Sequence, residues 1–210
     1  MAAIEPGRLI VLAAPSGAGK TTLVHELLER DPELQFSISY TTRPRRETEI
    51  DGEDYFFVSE DEFGAMRARD AFLEFAEVFD NWYGTSQEYI QSLLDLGRSV
   101  LLEIDWQGAA QVRSRRPDAV GVFIMPPSRD ELERRLRGRR TDSEEVIQRR
   151  LREALSDMAH WSEFDYVIIN DDLEKATAEL ADIVTAGGAE NRTDSPRTQA
   201  RIEEILAASQ

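Results

Sequence analysis

Ala14-Pro-Ser-Gly-Ala-Gly-Lys-Thr21 is the stretch of this 210-residue chain whose residue types and spacing most directly suggest chemistry. Gly17 and Gly19 let a main chain curl around an anion with no Cβ in the way. The N–H groups of such a loop point at phosphates, and a helix N-terminus adds to their attraction. Lys20 is then placed to reach the β- and γ-phosphates of a nucleoside triphosphate, and the Thr21 hydroxyl to ligate Mg2+. The full pattern, G-x-x-x-x-G-K-[ST], has glycine where this chain has Ala14, which is tolerable if φ stays negative there. Ala14, Pro15, Ser16, Gly17, Ala18, Gly19, Lys20, Thr21 and Thr22 are the expected nucleotide-binding residues, and Thr21 the expected Mg2+ ligand. Lysine occurs only at positions 20 and 175. A chain that otherwise uses arginine, yet keeps a lysine at position 20, invites a chemical explanation for it.

Such a loop needs a strand before it and a helix after it. Leu9 to Ala14 is a short apolar run with β-branched residues, closed by Pro15, and reads as a buried strand. Leu23, Val24, Leu27 and Leu28 recur at helical spacing, which predicts a helix over 21–30. Ser99–Ile104, Val120–Met125 and Tyr166–Ile169 read as further buried strands, with helical patterns over 107–115, 128–137, 143–160 and 172–186. Strands alternating with helices predict an α/β fold with a mostly parallel sheet covered on both faces. Residues 37–94 break the rhythm with short strand-like pieces (37–41 and 55–58), an Arg-rich loop and aromatic clusters, and read as an inserted lobe. Gly138-Arg-Arg-Thr-Asp-Ser143 joins two Arg-rich helices and reads as a lid. A polar linker after Gly187-Gly188 leads to a short helix over 199–208.

Beyond the loop the chain reads S-Y-T-T-R-P-R-R-E-T-E-I-D-G-E-D-Y-F-F-V from Ser39, then F-L-E-F-A at 72–76, N-W-Y-G-T at 81–85 and L-E-I-D-W-Q-G at 102–108. With the phosphate loop, these motifs resemble the guanylate kinases over residues 7–186. The loop is shared by many NTPases, whereas TTRxxR…Tyr, FLE, YGT and IDxQG are specific to this family and its relatives. The resemblance implies a P-loop kinase core at 1–36, 95–137 and 155–188. It further implies a GMP-binding lobe at 37–94, a lid at 138–154, and a linker with C-terminal helix at 189–210.

By the same resemblance Arg43, Arg46, Tyr55 and Tyr83 hold the phosphate of GMP, and Ser39, Glu74, Gly84, Thr85 and Asp105 lie around its guanine. The chemistry is sensible. Arginine forks suit a phosphate dianion, and tyrosine hydroxyls add neutral donors. Guanine offers N1–H and a 2-amino group on one edge; Glu74 can accept from both, and the Ser39 hydroxyl can donate to O6. Adenine lacks the 2-amino donor and carries an acceptor at N1, so it meets Glu74 with mismatched groups. The implied reaction is in-line transfer of the γ-phosphoryl group of ATP to GMP, a matter of positioning and electrostatics with no covalent intermediate. Lys20, Arg43, Mg2+ and the lid arginines Arg135, Arg139 and Arg150 would neutralise the moving charge. Glu103 and Asp105 alternate at a strand end, the edge where doubly wound sheets place ligands.

Plainer readings stand beside these. On composition alone Arg43–Arg46 is a solvated turn, Glu74 the outward position of an alternating strand, Tyr83 a packing residue and the lid arginines solvated helix charge. A scaffold domain that keeps this fold but binds proteins is a different class, disfavoured because Lys20 and the Arg43 loop are intact. A kinase for another monophosphate or a small alcohol is the nearer rival, and Glu74 with Ser39 discriminates against it. Thr48, where relatives commonly have glycine, predicts a stiffer loop. Arg140 adds charge to the lid, and Trp82 replaces a common tyrosine. Neither His25 nor His160 falls in a motif.

Composition bounds the rest. A net charge of −16 disfavours nucleic acid as a partner without opposing a small anionic substrate met by local arginines. No apolar run approaches the roughly 20 residues that span a bilayer, and the N-terminal stretch lacks a basic region, so neither membrane span nor signal peptide is expected. With no cysteine, disulfides and thiolate chemistry are absent and a cytoplasmic enzyme is expected. Nothing in the sequence sets the oligomeric state, so a homo-oligomer stays open.

Overall fold

The computed structural model describes residues 7–78, 80–138 and 143–208. Strand β1 (Leu9–Ala13) turns through the glycine loop into α1 (Lys20–Arg30). Short strands β2 (Gln35–Phe36), β3 (Tyr40–Thr41) and β4 (Phe56–Phe57) precede α2 (Glu60–Ala68), a hairpin of β5 (Phe72–Val78) and β6 (Asn81–Ser86), and α3 (Gln87–Asp95). Then come β7 (Val100–Glu103), α4 (Trp106–Arg115), β8 (Val120–Met125), α5 (Arg129–Gly138), α6 (Glu144–Met158), β9 (Tyr166–Ile169), α7 (Leu173–Val184) and α8 (Pro196–Ala207). The architecture is mixed α/β, with parallel strands flanked by helices. By internal contacts the chain divides into two compact units.

The unit that carries the glycine loop comprises Ile10–Pro32, Glu103–Trp106 and the described residues of 120–210. Here β1 pairs in parallel with β8 (Ile10 opposite Val120), and β8 with β9 (Val122 opposite Tyr166). Ile10 to Ala13, Val122 to Met125, and Val167 with Ile168 are all buried, which is why these strands are apolar throughout rather than alternating. Helix α1 sets Leu23, Val24 and Leu27 inward and packs on α7, with Arg30 bonded to Glu174 at 2.6 Å. The C-terminal helix starts at Pro196, with proline in its first turn, where a missing N–H costs nothing.

The other unit comprises the described residues of 1–9, Glu33–Leu102 and Gln107–Ala119. In it β2 pairs with β7 in parallel, and a four-stranded sheet runs β4-β3-β6-β5. Two helices absent from the sequence reading lie here. Ser59 opens α2 through a capping box with Glu62, and Ser86 caps α3. The sheet is built on aromatic packing: Phe63 stacks on Phe72 with ring centroids 4.4 Å apart, and Tyr40 on Phe56 at 4.8 Å. The outer strand β5 receives a clasp from α4, whose Gln111 amide bonds both the N–H and the carbonyl of Phe75.

Gly84 sits in the middle of β6, opposite Tyr40 on one side and Phe75 on the other. A Cβ there would lie 2.9 Å from Phe72 Cδ1 and 3.1 Å from Phe63 Cζ. The rings leave no room for a methyl group. Gly84→Ala should therefore destabilise the protein by about 1–3 kcal/mol through overpacking, read as a lower urea midpoint at unchanged slope. An unchanged midpoint would show that the rings give way at no cost.

Candidate active site

Gly17 and Gly19 have φ of 89° and 90°, the left-handed region that a side chain rarely enters. Ala14 is not among the non-glycine residues of positive φ, which among the described residues are Asp70, Asp80 and Ala186, so alanine fits at the loop's first position. Gly19 is also the N-cap of α1, and no side chain caps that helix. An uncapped helix start of this kind is the arrangement in which N–H groups can take an anion.

The loop's shape is held through one carbonyl. Ala18 O accepts hydrogen bonds from Asn170 Nδ2 at 2.8 Å and Arg135 Nη1 at 3.0 Å. Arg135 Nη2 donates to Asn170 O at 2.9 Å, and Arg135 Nε to Glu131 Oε1 at 2.7 Å. Arg135 thus reaches the loop itself from α5. Arg134 and Arg135 together draw the Glu131 carboxyl down to about 2. A Cβ on Gly19 would come within 2.5 Å of Asn170 Nδ2, and one on Gly17 within 3.0 Å of Leu136. Both glycines are required twice over, by conformation and by space.

Lys20 Nζ donates to Ile104 O at 2.8 Å, with Glu103 Oε1 at 3.9 Å. Burial pulls its pKa below the ordinary lysine value, while Glu103, Asp105 and Asp157 oppose the shift. The Thr21 hydroxyl donates to Glu103 Oε1 at 2.9 Å. A hydroxyl and a carboxylate this close are hard oxygen donors, the kind a nucleotide-bound divalent cation takes from protein. Asp105 is exposed. Trp106, next along, donates from Nε1 to Asp157 and stacks on His160 at 3.5 Å, so His160 is a packing residue here. Burial pushes the Asp157 carboxyl up, the Trp106 bond works against that, and Asp105 adds to it.

The second group of side chains lies in the other unit. Arg43 presents Nη2 and Nη1 to Glu49 Oε1 and Oε2 at 2.7 and 3.1 Å, and its guanidinium lies 5.4 Å from the centre of the Tyr55 ring. Tyr55 meets Tyr83 edge to face at 5.9 Å, and Tyr83 helps Glu49 keep the Arg43 guanidinium charged. Arg46 extends outward with its side chain 73% exposed. The structure therefore gathers Arg43, Tyr55 and Tyr83 around one spot and sets Arg46 beside them. Bonds from Arg43 and from the Arg46 N–H hold the Glu49 carboxyl below its usual range.

Glu74 does not face outward as an alternating strand would have it; it is 5% exposed. The pairing of β5 with β6 shifts register between Phe72 and Glu74. That bulge breaks the alternation and turns Phe72, Leu73 and Glu74 all inward. Thr85, opposite Glu74 and fully buried, donates its hydroxyl to Glu74 Oε1 at 2.6 Å. A buried carboxylate needs donors, and this one is placed to accept them. Ser39 is half-buried just before β3, its carbonyl bonded to Phe56 N–H.

Of the remaining expected residues, Arg150 is half-buried on α6, and Arg139 lies outside the described residues. Asp105 belongs to the unit of the glycine loop, the other proposed guanine and phosphate residues to the second unit. Sequence reading missed Asn170, Glu131, Glu49 and Gln111. Asn170 alone carried a signal, a polar residue directly ending the apolar run Tyr166–Ile169.

Comparison with known proteins places the family. The guanylate kinase family model matches residues 6–187. The chain is 58% identical to the guanylate kinase of Aromatoleum aromaticum, over 86% of this chain and 89% of that one. To the guanylate kinase of Escherichia coli K12 it is 50% identical, over 96% and 98%. The crystal structure of guanylate kinase from Anaplasma phagocytophilum superposes with a TM-score of 0.69 at 37% identity, covering 87% of this chain and 86% of that one. The chain belongs to the guanylate kinase family.

Proposed function

We propose that the glycine loop with Lys20 and Thr21 holds ATP, that Arg43, Arg46, Tyr55 and Tyr83 hold the phosphate of GMP, and that Glu74 reads the guanine. As a guanylate kinase the chain is an ATP:GMP phosphotransferase. A phosphate oxygen of GMP forms a bond to the γ-phosphorus of ATP while the bond from that phosphorus to the β–γ bridging oxygen breaks, giving GDP and ADP. Three peripheral oxygens gather charge as this happens.

In this reading Lys20 answers that charge from the glycine loop, where burial beneath a nucleotide strengthens its attraction. Arg43 orients the attacking phosphate, with Tyr83 and Tyr55 beside it, so the acceptor oxygen arrives already directed. Arg135 and Asn170 act through the loop by fixing the Ala18 carbonyl. Arg139 and Arg150 are assigned to phosphate contacts, residues 37–94 to the GMP lobe and 138–154 to a lid. Mg2+ is the proposed metal, held by Thr21 with Glu103 adjacent; when bound it neutralises phosphate charge. Ser39, Gly84, Thr85 and Asp105 complete the proposed guanine surroundings. Among the described residues no helix is long and apolar enough to cross a membrane. A cytoplasmic address is proposed from that and from the absence of cysteine.

The observation that carries the base assignment is Glu74, buried and already bonded by Thr85. Guanine's N1–H and 2-amino group supply two donors to one carboxylate, which adenine cannot do. Glu74→Gln leaves one acceptor where two are needed, and should lower kcat/KM for GMP about a hundredfold while ATP binding is retained. Equal GMP turnover by that variant would mean the base is read elsewhere. Lys20→Ala should lower kcat about a thousandfold, measured by coupled ADP release with GMP, AMP, UMP and dGMP offered separately. Normal turnover by this second variant would remove the glycine loop from the chemistry.

A further inference from the structure

A carboxylate beside an anion-binding arginine looks counterproductive, yet Glu49 grips Arg43 through both oxygens, and the two side chains are only 12% and 16% exposed. The pattern of bonds explains what such a residue does. A guanidinium carries five N–H donors in one plane. Glu49 takes one from each terminal nitrogen, and Pro44 O takes the second on Nη1 at 2.9 Å. Nε–H and the other N–H on Nη2 remain, and both lie on one edge of the fork. That is the edge whose two parallel donors match a pair of phosphate oxygens. The Tyr55 and Phe57 rings, at 5.4 and 5.7 Å, limit the tilt of the guanidinium.

Glu49 reaches one residue further. Its Oε2 also accepts the Arg46 N–H at 2.8 Å, so the same carboxylate fixes the backbone from which the exposed Arg46 side chain extends. One acidic group thereby orients a held arginine and anchors the backbone of an exposed one. Part of the Arg43 charge is already matched, which lowers its attraction for small anions lacking the right shape.

We infer that Glu49 is a positioning residue for the acceptor phosphate, turning the Nε edge of Arg43 toward it and fixing the origin of Arg46. This rests on the reading of Arg43 as a phosphate-holding residue.

The test compares GMP with guanosine, which has the base and no phosphate, by calorimetric titration of the whole protein. Glu49→Gln keeps the volume but puts an amide NH2 among donors. It should weaken GMP about tenfold and leave guanosine affinity within about twofold, because only a charge-assisted bond pattern is lost. In steady state KM for GMP should rise by more than kcat falls, with KM for ATP unmoved. Glu49→Asp, which keeps the charge one methylene short, should shift GMP the same way by less, and it serves equally if the glutamine variant folds poorly. Equal weakening of GMP and guanosine would reduce Glu49 to a loop staple and overturn the inference, as would unchanged GMP affinity. Arg43→Ala separates the two levels. If it leaves GMP binding intact, the phosphate site itself is misassigned; if it impairs GMP while Glu49→Gln does not, only the role of Glu49 falls.

Discussion

The carbonyl oxygen of Ala18 accepts hydrogen bonds from Asn170 and Arg135, and the use of the glycine loop depends on it. Curling a main chain so that its N–H groups face an anion forces carbonyls to face elsewhere. A buried carbonyl without a donor costs about 1–3 kcal/mol, so the fold must supply donors on that side. Asn170 does so from the end of β9 and Arg135 from α5, with Glu131 in turn holding Arg135. The glycines answer the same demand from within, since a Cβ on Gly19 would strike Asn170. Strand end, helix and loop are thereby tied at one atom, and the loop is shaped before any nucleotide arrives. Preorganisation of that kind spares the ordering cost that binding would otherwise meet.

A comparable economy governs Glu74. Placing a carboxylate in an aromatic sheet is unfavourable unless donors are fixed around it. The bulge in β5 turns Glu74 inward, Thr85 on β6 gives it one bond, and Gln111 on α4 clasps the neighbouring Phe75 backbone. Each of these acts on the hairpin, so the inward setting of Glu74 is a property of how β5 is bent. A straight β5 would put the same residue outward, where solvent would satisfy it.

Much of this was legible in the sequence, for reasons visible at particular residues. The strands over Val120–Met125 and Tyr166–Ile169 are buried on both faces and therefore uninterrupted apolar runs, the simplest signal to read. Helix α2 was not legible by periodicity, because Phe63 is its single buried residue, although Ser59 and Glu62 spell a capping box. Helix α3 did carry a stripe at Ile90, Leu93 and Leu94, which was absorbed into the inserted lobe. The candidate site was proposed at Lys20 from the loop motif, and at Arg43 and Glu74 only through the family resemblance. It was illegible where position is set by long-range pairing. Asn170 bonds a carbonyl 152 residues away and Gln111 a strand 36 residues away, and no local pattern encodes such a partner.

The charge balance gives the last constraint. At −16 the protein as a whole repels nucleotides, but that repulsion is screened over about 8–10 Å at ordinary ionic strength. Recognition must therefore come from contacts shorter than that. The structure is arranged accordingly: Lys20 and Arg43 are each set among carboxylates, with Glu103 at 3.9 Å from one and Glu49 at 2.7 Å from the other. Such pairing dilutes any long-range positive field while leaving directed N–H donors in place. In the proposed reading selectivity rests on donor geometry rather than on net attraction.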